Sequence, residues 1–142
     1  LPIWAECGGM LWLGQSLDGH AMAGVLPTEA HMGPRLSLGY RLATVRSTNP
    51  IAPAGSELRG HVFHYSRSDP PGDALDLSGG LGHGREGFAW PSLLAGYLHL
   101  HLGADPTPAQ RFVKTAQRFA QTASTGAQLP STRAQLPSTA PP

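Results

Sequence analysis

A single cysteine stands where an apolar segment meets a pair of glycines. Residues 5–9 are Ala-Glu-Cys-Gly-Gly, so Cys7 has a small residue two positions before it and another two positions after it. A Gly-x-Ser-x-Gly nucleophile elbow has the same spacing, because small neighbours permit the sharp strand-to-helix turn that exposes a nucleophile. A helix beginning there would lower the pKa of the Cys7 thiol, and the N–H of Gly8 could stabilise an oxyanion. The alternative is a buried thiol beside a glycine turn.

A thiolate nucleophile needs a base, which is usually a histidine. Two histidines are best placed, His99 and His101, because they end an apolar strand where α/β sheets carry their sites. Their spacing of two residues puts both on one face of that strand. A hydrogen-bonded structural role is the alternative for each of the seven histidines, which are His20, His31, His61, His64, His83, His99 and His101.

The pairs His61-x-x-His64 and His99-x-His101 also permit a metal site, since histidine is a common zinc ligand. No cysteine pair or carboxylate–histidine motif accompanies them, and on a strand His61 and His64 would face opposite sides. We therefore expect no metal site.

Composition excludes several classes of function. The chain has 142 residues, which suits one domain, and its formal net charge of +1 favours neither nucleic acid nor an anionic membrane surface as a partner. No segment approaches the ~18 apolar residues of a membrane-spanning helix. Lys114 is the only lysine and none of the seven residues directly before it is a glycine, so a Gly-x-x-x-x-Gly-Lys phosphate-binding loop is excluded. The apolar start carries Glu6 and no basic leader, so we expect a cytoplasmic protein.

The pattern of apolar residues predicts an α/β fold, because strands are mixed with helices and an apolar strand leads into the first helix. Strands are predicted at Pro2–Glu6, Ala23–Leu26, Leu38–Arg46, Glu57–Ser66 and Leu93–His99. Helices are predicted at Met10–Leu17 and Thr107–Ala123, with a surface loop from Arg67 to Gly87.

The last part of the chain has a different composition. Residues 127–132 (Ala-Gln-Leu-Pro-Ser-Thr) recur at 134–139, with few large apolar groups to bury. Such a segment cannot offset its ordering entropy. We therefore expect a folded domain over residues 1–123 and a disordered tail over residues 124–142.

Three segments together resemble the C-terminal half of the cobyrinate a,c-diamide synthase family. They are Pro-Ile-Trp-Ala-Glu-Cys-Gly-Gly-Met-Leu-Trp-Leu (2–13), Leu-Arg-Gly-His-Val-Phe-His-Tyr-Ser (58–66) and Leu-Leu-Ala-Gly-Tyr-Leu-His-Leu-His-Leu (93–102). The resemblance covers about residues 1 to 120 and implies a class I glutamine amidotransferase domain. Its fold would be an incomplete three-layer sandwich, because the strands that precede the nucleophile in the family are not in this sequence.

The resemblance also implies roles for particular residues. Cys7 would be the nucleophile that releases ammonia from glutamine, and His99 would activate it, with His101 as the reserve candidate. Class I amidotransferases usually have a glutamate where His101 stands, so we expect a Cys7–His99 dyad. No cofactor is expected on this segment. ATP and Mg²⁺ are expected on an N-terminal ATPase domain, which would use the ammonia to amidate a corrinoid substrate in cobalamin biosynthesis.

Some positions depart from the family pattern. Val62 replaces a frequent acidic residue and Gly96 a common serine. These departures, with the foreign tail, indicate a truncated domain. Because half of the parent sheet would be absent, we expect an exposed apolar sheet edge. The alternative is a non-catalytic remnant, or a small His-lined module that binds a metal or a tetrapyrrole.

Overall fold

The computed structural model describes residues 1–124, which form ten strands and two helices. The helices are α1 (Gly8–Leu13) and α2 (Thr107–Ser124). The strands are β1 (Ile3–Glu6), β2 (Ser16–Leu17), β3 (His20–Ala21), β4 (Glu29–Val45), β5 (Glu57–Asp69), β6 (Leu75–Gly79), β7 (Gly84–Glu86), β8 (Phe88–Trp90), β9 (Leu93–Gly96) and β10 (His99–Leu100). Ser124 belongs to α2 rather than to the tail; the disorder predicted for the rest of the tail lies outside the described residues.

The strands of residues 1–124 form two sheets. The smaller sheet has the order β1-β9-β8, and β1 runs parallel to β9 with Glu6 opposite Gly96. The larger sheet has the order β10-β5-β4-β2-β3. In addition, β6 pairs with β4, and β7 pairs with β6. This mixed, sheet-rich architecture with few helices is consistent with the α/β class. The three-layer sandwich stays a prediction.

The long hairpin of β4 and β5 is the centre of the larger sheet. Leu38 pairs with Phe63 and Tyr40 pairs with His61, so these four side chains share one face of the sheet. Both predicted strands lie in this hairpin, but β4 begins at Glu29, earlier than the Leu38 expected. Tyr40 is 85% exposed on this face. The exposed apolar groups of this hairpin therefore lie on a sheet face, whereas the exposed apolar edge stays a prediction.

The predicted single strand Leu93–His99 is wrong, because the chain changes sheets within it. β9 ends at Gly96 and pairs with β1, whereas β10 begins at His99 and pairs with β5. The two strands β5 and β10 approach so closely at Gly60 that a Cβ there would overlap the carbonyl of His99. Glycine at this position is what lets β10 lie against β5.

The predicted surface loop Arg67–Gly87 is also wrong, since it contains β6 and β7. Leu75 and Leu77 are buried and alternate with Asp76, which is the period of a half-buried strand. Asp76 pairs with Arg85 across β6 and β7, and their side chains are joined at 2.9 Å. Only part of the Asp, Gly and Pro content lies between the strands, at Pro70, Pro71, Gly72 and Asp73 before β6 and at Gly80 and Gly82 before β7.

Helix α1 begins and ends earlier than the predicted Met10–Leu17, and the predicted strand Ala23–Leu26 is wrong. Ala23 N–H donates to the carbonyl of Trp12, and Val25 and Leu26 donate to that of Leu13. The last carbonyls of a helix lack partners within it. Residues 23–26 supply those partners, so their N–H groups are used on the helix end and not in a sheet.

Two groups of buried side chains support the sheets. One surrounds Leu75 and Leu94, and Phe112 of α2 packs on its margin with its ring 6.0 Å from that of Trp4. The other surrounds Met10 and Leu93 and includes Cys7 at its edge. The predicted α2 thus packs against the domain, although Val113 of its apolar stripe is exposed. Within residues 1–124 neither helix has the length and apolar character to cross a membrane.

Candidate active site

Cys7 lies on a strained turn between β1 and α1. Its backbone has φ 49° and ψ −108°, a conformation that residues other than glycine rarely adopt. A Cβ on Gly9 would lie 3.3 Å from the Cβ of Ala5, so the small residues on either side of Cys7 face each other inside the turn. The strand, turn and helix predicted from residues 5–9 are therefore present, and strain of this kind is concentrated at functional sites.

The Cys7 thiol is half-buried, and its environment differs from the one predicted. Its Sγ donates to the carbonyl of Phe63 at 3.9 Å, and its backbone N–H donates to the carbonyl of Gly96 at 2.8 Å. Burial raises the pKa of Cys7, and the charges of Glu6 and Glu86 raise it further. The hydrogen bond from Gly8 lowers the pKa but does not outweigh these effects. The expected low thiol pKa is wrong for this conformation.

His99 is the first residue of β10, and its imidazole is oriented by His61 of β5. The two rings stack with centroids 5.0 Å apart and planes 18° apart. Nδ1 of His99 lies 3.4 Å from the main-chain oxygen of His61. A hydrogen bond from Nδ1–H to this carbonyl leaves Nε2 free to accept a proton. His101, the reserve candidate, is exposed beyond the end of β10.

Cys7 and His99 follow the ends of two neighbouring parallel strands. β1 ends at Glu6 and β9 ends opposite it at Gly96. Cys7 and His99 therefore both lie beyond the C-terminal ends of these strands. The carboxylate of Glu6 also accepts the N–H of Leu100 at 3.1 Å, which joins the neighbours of Cys7 and His99. In this conformation the thiol donates to Phe63, so it does not donate to the imidazole of His99.

Two further titratable side chains lie in this region, and sequence reasoning missed their roles. The rings of His64 and Tyr97 stack with their centroids 3.7 Å apart. Nδ1 of His64 is hydrogen-bonded to the carbonyl oxygen of Ser66 at 2.8 Å. Burial lowers the pKa of His64, and the charge of His99 lowers it further. Glu86 is buried, and burial raises its pKa to about 7. Glu86 was missed because it lay in the predicted loop.

Comparison with known proteins supplies the family. Residues 1–107 match the CobB/CobQ-like glutamine amidotransferase domain. The chain belongs to this family. It is similar to the cobyrinate a,c-diamide synthase of Gloeobacter violaceus, with 43% identity over 121 residues, which are 80% of this chain and 26% of that protein. It is also similar to the hydrogenobyrinate a,c-diamide synthase of Streptomyces coelicolor, with 44% identity over 115 residues (80% and 24%).

A third relative of this amidotransferase domain has the same coverage. The cobyrinate a,c-diamide synthase of Synechococcus sp. is 37% identical over 124 residues, which are 80% of this chain and 27% of that protein. The chain thus spans about a quarter of the length of the curated relatives it matches. The resemblance drawn from the three sequence segments is confirmed at the level of the family.

The amidotransferase domain also has an open groove of about 1120 Å³ beside the site. Tyr40, Arg59, His61 and His101 are among the residues that line it, so it combines an exposed aromatic ring with cationic and imidazole groups. Among residues 1–124, no group of three or more His, Cys, Asp or Glu side chains is arranged to hold a metal ion.

Proposed function

We propose that this chain is the glutaminase part of an amidotransferase, with Cys7 as its nucleophile and His99 as its base. The observation that carries the proposal is the strained backbone of Cys7 at a strand-to-helix turn. Maintaining a cysteine there costs of order 1–3 kcal/mol, and such strain persists where it presents a reactive atom. Membership of the amidotransferase family supports the same assignment.

The proposed reaction has two stages. The sulfur of Cys7 attacks the side-chain amide carbon of glutamine, while Nε2 of His99 takes the thiol proton. The N–H of Gly8 stabilises the oxyanion of the tetrahedral intermediate. His99 then gives its proton to the leaving nitrogen, and ammonia departs from a glutamyl thioester. A water molecule, deprotonated by His99, hydrolyses the thioester to glutamate and restores the thiol.

This reaction requires the thiol to turn away from the Phe63 carbonyl and toward His99. The 3.9 Å contact to Phe63 is a weak sulfur hydrogen bond, so rotation of the Cys7 side chain costs little. Catalytic hydrogen bonds in free enzymes are often loose and tighten only when substrate binds. His99 itself is held by the ring and the carbonyl of His61, which takes over the orienting role of the usual glutamate.

The wider role follows from the names of the relatives. We propose that the ammonia serves the amidation of corrinoid carboxylates in the cytoplasm, in partnership with an ATPase domain that binds ATP and Mg²⁺. This chain does not contain a P-loop for ATP, since its only lysine, Lys114, has no glycine-rich loop before it. The three-layer sandwich would be completed by the strands that precede the nucleophile in this amidotransferase family, not by the ATPase domain.

Labelling with 6-diazo-5-oxonorleucine, a glutamine analogue that alkylates amidotransferase cysteines, tests the proposal. We expect one covalent adduct on Cys7 and none in Cys7→Ser, as measured by mass spectrometry. His99→Ala should slow labelling by about 100-fold, in the range of a lost general base. The matched control is His83→Ala, which removes an exposed histidine from the turn before β7. Equal labelling rates in His99→Ala and His83→Ala would refute the dyad.

The groove beside β4 and β5 favours a second candidate function, a non-catalytic module that binds a carboxylate-bearing tetrapyrrole. Exposed Tyr40 could stack on the macrocycle, and Arg59 could pair with its carboxylates. Titration with cobyrinate, followed by its visible absorbance, distinguishes the two. Saturable binding that weakens in Arg59→Ala, together with no labelling of Cys7, would favour the module over the enzyme.

A further inference from the structure

The main chain on each side of His99 is hydrogen-bonded to a glutamate. Leu98 N–H donates to Oε1 of Glu86 at 2.9 Å, and Leu100 N–H donates to Oε1 of Glu6 at 3.1 Å. Glu86 comes from the end of β7 and Glu6 from the end of β1. Two separate elements therefore hold the short segment that carries the imidazole.

The bond from Leu98 has a clear structural reason. The chain leaves one sheet after Gly96 and enters the other at His99, so the buried N–H of Leu98 has no strand partner. A buried N–H without a partner is costly, and the Glu86 carboxyl satisfies it. Gly96 lies beside this carboxyl, since a Cβ on Gly96 would be in van der Waals contact with Oε1 of Glu86 at 3.4 Å.

A buried glutamate is an expensive way to satisfy main-chain N–H groups, here those of Leu98 and Tyr97. Glu86 is only 7% exposed, and no ion pair to it is formed within residues 1–124. The titratable and charged groups around it are Arg41 of β4, Cys7 beyond β1 and Tyr97 before β10. A backbone carbonyl or a serine would satisfy the N–H at less cost, so the carboxyl calls for a role beyond packing.

We propose that Glu6 and Glu86 are positioning residues that hold His99 from both sides, and so aim its imidazole at the thiol of Cys7. This inference rests on the proposed glutaminase function and explains how the site works without a glutamate at position 101. Burial raises the pKa of Cys7 most, and the charges of the same two carboxylates raise it further, so the thiol stays protonated. The thiol then becomes a nucleophile only when His99 takes its proton.

Substitutions at Glu86 separate positioning from packing. Glu86→Gln keeps an oxygen for Leu98 N–H, whereas Glu86→Ala removes it. We expect Glu86→Ala to lower the glutaminase kcat by about 10- to 100-fold at unchanged KM, and Glu86→Gln to stay within about threefold of the native chain. The control is Glu57→Gln, which removes an exposed carboxylate at the start of β5 and should change neither constant.

A second measurement reports on the thiol alone. The pH dependence of Cys7 alkylation by iodoacetamide should shift to lower pH in Glu86→Gln, Glu86→Ala and Glu6→Gln, and not in Glu57→Gln. This shift reports whether the charges of the two carboxylates act on the thiol, whereas a lower kcat at unchanged KM reports on the positioning of His99. Equal loss of kcat in the Gln and Ala variants of Glu86, or an unshifted profile, would overturn the proposal.

The two proposals can fail separately. If the native chain releases no ammonia from glutamine, the proposed function fails. Hydrogen exchange of the Leu98 amide then decides the positioning role. Faster exchange of this amide in Glu86→Ala than in Glu86→Gln supports it, whereas equal exchange in the two variants overturns it.

Discussion

The stability of the folded chain should fall between about pH 4.5 and pH 7 because of one buried carboxyl. Burial raises the pKa of Glu86 from 4.5 to about 7, against the opposing effects of the Leu98 and Tyr97 N–H groups and of Arg41. Between these values the folded chain keeps a proton that the unfolded chain has released. Stability falls as pH rises wherever the folded state binds more protons. The contribution of Glu86 is therefore most favourable below pH 4.5 and is lost by about pH 7.

The expected size of the loss follows from the two pKa values. Each pKa unit corresponds to about 1.4 kcal/mol, so a change from 4.5 to about 7 amounts to about 3 kcal/mol. Glu86 is 7% exposed, so solvent screens this effect little. A domain of this kind has a total stability of roughly 5–15 kcal/mol, which makes the loss a large fraction of the whole.

Urea denaturation of the native chain and of Glu86→Gln, repeated from about pH 4.5 to pH 8, measures this contribution. The amide does not titrate, so the difference in unfolding free energy between the two proteins isolates the carboxyl. We expect the native chain to lose about 3 kcal/mol relative to the variant over this range. Glu57→Gln should follow the native chain at every pH. A constant difference between the native chain and Glu86→Gln would refute the burial argument.

Substitutions at three positions, Cys7, His61 and Gly60, also test the site. Cys7→Gly should be about 1 kcal/mol more stable to urea than Cys7→Ala, because glycine adopts a φ of 49° without strain; equal stabilities would contradict a strained turn. His61→Phe keeps a ring against His99 and should retain glutaminase kcat within about threefold, whereas His61→Ala should lose about tenfold; equal losses would exclude the ring stack as the cause. Gly60→Ala places a methyl group against the His99 carbonyl and should lower kcat by at least about tenfold; unchanged kcat would show that β10 need not lie against β5.

Local pattern predicted the elements whose residues depend on near neighbours in the chain. The turn at Cys7 follows from Ala5, Gly8 and Gly9, and the strand before it from a short apolar run. The last helix was predicted to within one residue from its apolar spacing and from the Thr107-Pro108 start. The bounds of the first helix were predicted less well. Its C-terminal end is fixed by hydrogen bonds from residues 23–26, which lie further along the chain.

Elements that depend on distant partners were predicted poorly. The apolar run from Leu93 to His99 has the composition of one strand, yet its two halves pair with β1 and β5 in different sheets. The segment around Leu75 contains enough Asp, Gly and Pro to predict a loop, although pairing with β4 makes it a strand. Strand formation depends on a partner edge, and local composition does not show where that edge lies.

The sequence by itself determined the family and the two candidate reactive groups, since Cys7 and His99 lie in segments that also carry the family resemblance. Only the tertiary structure decided what surrounds them. It brought Glu6, His61 and Glu86 to His99 from three different strands, and it raised the pKa of Cys7 where the local pattern predicted a lower one. The physical reason is that burial and charge at a site are set by residues far apart in the chain. Which of these residues come close together depends on which strands pair.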